Sequence, residues 1–435
     1  MGESSWYQSS CHIDTSLWGK TAPPAMDLSP LDGDISVDVA IIGGGFCGLS
    51  TALHLAESGV ECAILEAHEP GWGASGRNGG QVIPGLKIFP EEIVKRFGKE
   101  TGERIAKTVG SAPDLVYDLI QRFEIDCDLQ TTGWIQLAKG PEGRKTTDAH
   151  VAQWGERGAE TRTLNKDDIA TMVGTKAYVS GLIDMRGGNL HPLKYARGLA
   201  KACKSLGVSI YPNTPAISVA AGDTGWEVQT KSGTVRAKSV VVCTNGYTGS
   251  MLPGLSQSIV PVLTGVVATD PLSDNLKSRI LPGGQAAADT RRLLSWFGLD
   301  ASDRLIFGSR INKQQEVIDA ENFVFGIRRM NELFPEVDTS KLQHMWTGRV
   351  ALTLDHVPHI HCLGDGLYSG LGFNGRGVAM ATMFGKVLAS HVTGNAKEGE
   401  FLPLTPMPKV PFGQFRGAGL AIALTWKRMM DTLRP

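Results

Sequence analysis

Six consecutive residues, Gly43-Gly44-Gly45-Phe46-Cys47-Gly48, constrain this chain more than any other feature. They follow a short β-branched run, Val37 to Ile42, whose apolar character predicts a buried parallel strand. They precede a helical pattern over 49–58, with Leu49, Ala52, Leu53 and Ala56 on one face and Gly59 as its stop. A second apolar run, Val60 to Leu65, closes a βαβ unit that ends on Glu66, 18 residues beyond Gly48. Such a unit crosses over right-handed into a parallel sheet. Gly43 permits the tight turn, Gly45 lets backbone approach a pyrophosphate, and Gly48 lets helix pack on strand. The helix N-terminus offers unpaired N–H groups and a positive dipole, and Glu66 accepts hydrogen bonds from a ribose. An acid in place of a basic residue there argues against a 2′-phosphate ligand.

A second glycine-rich loop, Gly71 to Gln81, follows directly. It brings bare backbone N–H groups to a flat or anionic ligand, with Ser75, Arg77 and Asn78 as added donors. A third stretch, Gly370 to Val378, opens the last long helix, over 377–391, and its N-terminus suits a developing anion.

Composition narrows the rest. The 435 residues carry 43 Lys+Arg against 44 Asp+Glu, which leaves no electrostatic footprint for nucleic acid or an anionic membrane. No apolar run reaches the roughly 18 residues of a membrane span, and the N-terminus lacks a secretory pattern, so a cytoplasmic location is expected. Seven scattered cysteines without a C-x-x-C pair read as reduced thiols, not as disulfides or a zinc site. His356, His359 and His361 fall close together but lack a metal-site pattern, so no metal is expected.

Beyond the first unit, helices are expected from Pro90, from a cap at Thr101, from Pro113 to Phe123, over 192–206 and over about 316–333. Strands are expected at 134–138, 178–183, 208–211, 226–229, 239–243, 260–269 and 304–307. Sheet signatures at both ends with different material between them predict two interleaved domains. Residues 1–32 read as an irregular arm. Residues 33–95, 185–248 and 350–395 form a cofactor domain, 96–184 and 249–349 a substrate domain, and 396–435 a C-terminal segment.

These residues carry a family resemblance. The segments VDVAIIGGGFCGLSTALHLAESG, LEAHEPGWGASGRNGGQ, GGNLHPLKYARGLA, TNGYTG, WTGRVALTLDHVPHI and YSGLGFNGRGVAMAT resemble the D-amino-acid oxidase (glycine/sarcosine oxidase) superfamily of FAD enzymes. Within it they are most similar to bacterial gamma-glutamylputrescine oxidoreductases. The resemblance implies an α/β plus α+β fold, with a Rossmann-like FAD-binding domain interleaved with a mixed-sheet substrate domain. It places Gly43, Gly45, Phe46, Cys47 and Gly48 at the pyrophosphate, and Glu66 and Ala67 at the adenosine. Trp72, Gly73, Ala74, Ser75, Arg77, Asn78, Gly79, Gly80 and Gln81 would line the ribityl and isoalloxazine side. Ala216 would meet adenine, Thr244, Asn245 and Gly246 would close over the cofactor, and Gly348 would lie beside it. Gly372, Asn374, Gly375, Gly377 and Val378 would hold the flavin O2 edge.

Three departures are informative. No cysteine stands near Trp346-Thr347-Gly348-Arg349, which implies non-covalent FAD. The strand Arg304 to Gly308 has no lysine of the kind that speeds reaction with oxygen in sarcosine-type enzymes, and their carboxylate-binding lysine falls on Ala379. Both fit a longer amine recognised away from its reacting carbon, as in polyamine catabolism, with O2 or another molecule as electron acceptor.

The implied reaction is hydride transfer from the carbon beside a neutral amine to flavin N5, then hydrolysis of the imine. No catalytic base is singled out. Trp296, Phe297, Arg310 and Arg349 are the candidate substrate contacts, the aromatics for an aliphatic or cationic chain and the arginines for a carboxylate. Two alternatives stand beside this one. The first is a dehydrogenase of D-amino acids or 2-hydroxy acids that passes electrons to a quinone, docking through Gly417 to Arg428; the second is a flavin-holding scaffold.

Overall fold

The computed structural model describes residues 13–313, 318–397, 399 and 401–406. The parallel core of its first sheet comes from the βαβ unit. Ile35–Ile42 pairs in parallel with Cys62–Leu65 on one side and with Thr234–Val242 on the other. Ser209–Tyr211 extends this sheet beyond Cys62–Leu65, and Leu367–Leu371 extends it beyond Thr234–Val242. His359–Gly364, Leu404–Thr405 and an antiparallel meander, Ser218–Gly222 and Gly225–Gln229, complete nine strands.

The fingerprint helix, Phe46–Glu57, starts three residues before the expected Leu49, so its N-terminus stands directly behind the glycines. Its cap residue, Gly45, has no side chain to bond the free N–H groups. Ser75 supplies the bond from the second loop instead: its Oγ accepts the Phe46 N–H at 2.9 Å. The helix lies against the closing helix, Gly377–Val392, so tightly that a Cβ on Gly385 would stand 2.4 Å from Ser50 Cβ. Pro192–Ser205 and Ala112–Arg122 share the same apolar core.

The second sheet has eight strands, in the order His344–Leu352, Val260–Pro271, Arg304–Arg310, Trp296–Leu299, Ala286–Asp289, Trp134–Leu137, Ser180–Asp184 and Thr161–Asn165. Only Ala286–Asp289 and Trp134–Leu137 run parallel, so the sheet is mixed. A two-stranded ladder, Gln81–Val82 with Gly188–Asn189, carries the chain between the two halves.

Several elements depart from sequence expectation. Thr101 does not cap a helix; Lys99–Gly110 starts at Gly98, whose φ of 80° suits only glycine. Tyr178 precedes its strand and is buried, its hydroxyl donating to Asp289 at 2.8 Å. The helix expected over 316–333 starts at Ala320, because Asp319 accepts the Asn322 N–H as its N-cap; residues 316 and 317 lie outside the described residues. Residues 99–122, assigned by sequence to the second domain, contribute Ile105, Ala106, Val109, Leu115 and Val116 to the core of the first.

The arm is not irregular throughout. Ser16 caps a short helix, Leu17–Thr21, and Trp18 is buried against Trp346 and His191. His191 Nδ1 accepts the Lys194 N–H, which leaves its Nε2 to meet Thr21 Oγ1 at 2.9 Å. Burial and the nearby Lys194 hold that imidazole neutral, its pKa pushed down to about 3.

Candidate functional site

Between the two sheets lies a cavity of about 600 Å³, within the range of ligand sites. At its first-sheet end it is bordered by Gly43, Gly45, Phe46, Cys47, Glu66, Ala67 and Ala216, with Thr244 and Asn245 beside them. Glu66 Oε2 accepts the Gly44 N–H at 2.7 Å and Oε1 the His68 N–H at 2.9 Å. Burial raises the Glu66 pKa, and backbone N–H groups of Gly44, His68 and Ala67 oppose that rise. Gly48 does not reach the cavity. A Cβ there would stand 1.9 Å from Gly43 O, so its place is the contact between helix and loop.

The second loop adds Trp72, Gly73, Ala74, Ser75, Arg77, Asn78, Gly79 and Gln81 to the wall. Its polar side chains mostly hold the loop itself. Asn78 donates to Ala74 O and Ser75 O and accepts from Gly80 N–H, at 2.8–3.0 Å. Gln81 donates to Ala287 O and Phe297 O and accepts from Trp134 Nε1 at 3.0 Å, which ties the loop to the second sheet. Arg77 Nε donates to Trp72 O at 2.8 Å and its guanidinium lies 4.3 Å from the Trp72 ring centre, while His68 stacks on that ring at 3.7 Å. Gly80, expected in the wall, instead turns the chain behind it at φ +71°.

Asn374, Gly375, Gly377 and Val378 border the cavity at the start of the closing helix, and Gly348 borders it beside Arg77. Asn374 is a clamp as well: its Oδ1 accepts the Thr353 N–H at 3.0 Å and its Nδ2 donates to Gly372 O at 2.6 Å. Gly372 and Gly246 stand behind the wall, where Gly372 N–H donates to Asn245 Oδ1 at 2.9 Å. The polar side chains Asn78, Gln81 and Asn374 are thus engaged in holding the wall together.

The second-sheet end brings in Trp296, Arg310 and Arg349 from the expected substrate contacts. Phe297 is not among them. It follows Trp296 in a strand, so it points to the opposite face, where it is fully buried and stacks on Phe307 at 5.6 Å. Arg310 lies over Phe325 at 3.8 Å and Arg349 over Tyr247 at 5.4 Å. Sequence reasoning missed Lys87, Phe89, Trp134, Gln136, Thr146, Tyr247, Asp289, Arg291, Arg292 and Arg376, which also border the cavity. Of these, Arg376 and Tyr247 carried a signal, their places inside the Gly370–Val378 and TNGYTG segments.

Two carboxylates, Glu66 and Asp289, border the cavity. Burial raises the Asp289 pKa, opposed by the Tyr178 hydroxyl, the Ser295 N–H and Arg291. His359 and His361 lie elsewhere: they stack at 5.6 Å and bond Asp355 and Thr405. The six described cysteines are free thiols, and Cys11 lies outside the described residues.

A family model described as FAD dependent oxidoreductase matches residues 38–391. The chain belongs to that family, the DAO family of FAD-dependent oxidoreductases. It is 31% identical over 401 residues to gamma-glutamylputrescine oxidoreductase of Escherichia coli, covering 92% of this chain and 93% of that protein. It is 30% identical over 416 residues to probable oxidoreductase OrdL of Haemophilus influenzae, covering 93% and 94%. Its fold matches glycine oxidase of Geobacillus kaustophilus with a TM-score of 0.72 at 22% identity, covering 86% of this chain and 99% of that one.

This oxidoreductase uses FAD, and the donor set fits it. A helix N-terminus and bare glycines suit the pyrophosphate, a carboxylate at the end of the second strand suits a ribose, and a glycine-rich loop suits a flat ring. Among the described residues no helix is long and apolar enough to cross a membrane.

Proposed function

We propose that this oxidoreductase oxidises the C–N bond of a small amine or amino acid, of the gamma-glutamylputrescine class or close to it. The observation that carries this reading is the single cavity that joins the glycine fingerprint and Glu66 to the wall of Trp134, Trp296, Arg310 and Arg349. The likeness to a gamma-glutamylputrescine oxidoreductase supports the substrate class. Bound FAD supplies a hydride acceptor for the carbon beside the nitrogen.

The labour divides by sheet. Gly43, Gly45, Phe46 and Cys47 hold the pyrophosphate non-covalently, Glu66 the ribose, and Ala216 the adenine. Trp72 to Ser75, Arg77 to Gly79 and Gln81, with Asn374, Gly375, Gly377 and Val378, enclose the flavin, with Thr244, Asn245 and Gly348 beside it. Trp134 and Trp296 give the substrate chain an apolar wall that excludes water from the reacting carbon. Asp289 is engaged by Tyr178, Ser295 and Arg291, which argues against its service as a base. Hydride transfer needs the nitrogen lone pair, so the amine reacts in its neutral form. Its electrons pass on to O2 or another acceptor.

The quinone-linked reading depends on Gly417 to Arg428, which lies outside the described residues. The test is product analysis. Holoenzyme turning over an amine with an artificial acceptor releases one aldehyde or ketone, and one ammonia or amine, per two electrons. A keto acid formed from a 2-hydroxy acid, with no nitrogen released, overturns the reading.

A further inference from the structure

The cavity wall carries a cation, Arg376, whose nearby carboxylate already serves other groups. Arg376 precedes the closing helix and borders the cavity. Its Nη1 donates to Pro84 O, and its guanidinium lies 5.6 Å from the centre of the Trp134 ring. Among the described residues, no carboxylate forms an ion pair with it. The carboxylate that acts on it electrostatically, Asp184, is already occupied. Arg186 grips Asp184 through both oxygens, at 3.0 and 2.6 Å, and His150 Nε2 meets it at 2.9 Å. Burial lowers the Arg376 pKa to about 10; Asp184 opposes that fall and Arg186 adds to it. A single carbonyl leaves most of its five N–H donors available.

We propose that Arg376 reads a carboxylate on the substrate, which docks its two oxygens on the guanidinium beside the Trp134 ring. This rests on the amine-oxidation reading above. The pyrophosphate is not the missing anion, because its glycines stand at the first-sheet end whereas Trp134 belongs to the second sheet. Arg291 already faces Asp289 at 3.3 Å. An arginine fork and a carboxylate match in geometry, and in a water-poor cavity the charged hydrogen bonds are strong. The residue therefore sets specificity: it favours amines that carry an acid over free diamines of equal length.

The test compares wild type, Arg376→Lys and Arg376→Gln as FAD-loaded proteins. Anaerobic flavin reduction is followed with gamma-glutamylputrescine and with its decarboxylated counterpart, 4-amino-N-(4-aminobutyl)butanamide. Wild type should prefer the acid by roughly 30- to 1000-fold in apparent affinity. Arg376→Gln should erase that preference while the decarboxylated compound changes by less than about 3-fold, and Arg376→Lys should restore part of it. Equal slowing of both compounds would show that Arg376 serves the flavin and overturn the proposal, as would an unchanged preference in Arg376→Gln. Titration of the flavin spectrum with glutarate and glutaramide needs no turnover. If no amine reduces the flavin, the functional reading fails, and this titration still decides Arg376. Glutarate binding that is lost in Arg376→Gln supports the assignment, and binding that persists refutes it. FAD content and Tm of the lysine variant confirm that it is folded.

Discussion

Replacing Gly48 by Ala tests whether close helix–loop contact is what builds the cofactor end of the site. Gly48 lies in the first turn of the fingerprint helix, where an added Cβ would stand 1.9 Å from Gly43 O and 3.2 Å from Ile41 Cγ2. Restoring ordinary contact with that oxygen demands a shift of more than about 1 Å. The helix cannot simply retreat. On the side of the closing helix, the position of a Gly385 Cβ is already 2.7 Å from Cys47 O. Overpacking of this kind costs about 1–3 kcal/mol, while Ala in place of a helical Gly returns at most about 1 kcal/mol. With the full offset, the net loss of stability is about 0–2 kcal/mol. The larger effect falls on FAD, whose pyrophosphate would meet N–H groups displaced by a comparable distance. Visible absorbance per protein, with Tm measured with and without added FAD, reads both effects. Gly155→Ala is the matched control, since it ends a helix and a Cβ there meets nothing within 4 Å. A Gly48→Ala protein that keeps its FAD affinity and melts no lower than wild type would refute the reasoning.

Further predictions follow from other contacts. Trp18→Ala removes a buried indole whose Nε1 donates to Asn78 O at 2.9 Å, so it should cost about 3–5 kcal/mol and speed FAD release, read by fluorescence of the freed cofactor. Glu66→Gln leaves either the Gly44 or the His68 N–H without an acceptor, and FAD affinity should fall about 10- to 100-fold by titration. Asp184 is fully buried, and although burial alone would raise its pKa, the hydrogen bonds from His150 and Arg186 hold it down to about 2, against 3.8. It therefore adds about 2 kcal/mol of stability that is fully present above the unfolded pKa and lost as pH falls through the folded one. Denaturant melts of Asp184→Asn should show a correspondingly flatter decline over that acid range; an unchanged slope would contradict the assignment.

What the sequence made legible was local. The turn, helix and second strand around Gly43–Glu66 are fixed by spacing within one supersecondary unit, and they fold as read apart from the earlier helix start and a second strand confined to Cys62–Leu65. That start was hidden because its cap is Ser75, 29 residues downstream of Phe46. The same limit explains the clamping by Gln81 and Asn374, whose partners Ala287, Phe297, Trp134 and Thr353 come from elsewhere in the fold, whereas Asn78 bonds within its own loop. Trp296 and Phe297 could not be told apart while their segment was not recognised as a strand, since strand alternation alone sends one to the cavity and the other to the core. The strands Ala286–Asp289 and Trp296–Leu299 are four residues each, too short for their period to stand out. Arg376 was in view within a recognised motif, but the sharing of its nearby carboxylate, Asp184, with Arg186 and His150 is a three-dimensional fact.

The account's central claim is that this cavity oxidises amines through FAD, and anaerobic reduction of the bound flavin tests it most directly. The purified protein is mixed without air with a panel of amines, amino acids and 2-hydroxy acids while its visible absorbance is followed. The account predicts that amines of the gamma-glutamylputrescine class bleach the oxidised flavin, with amino acids slower and 2-hydroxy acids inert. Bleaching by a 2-hydroxy acid alone, or by no compound at all, would contradict it.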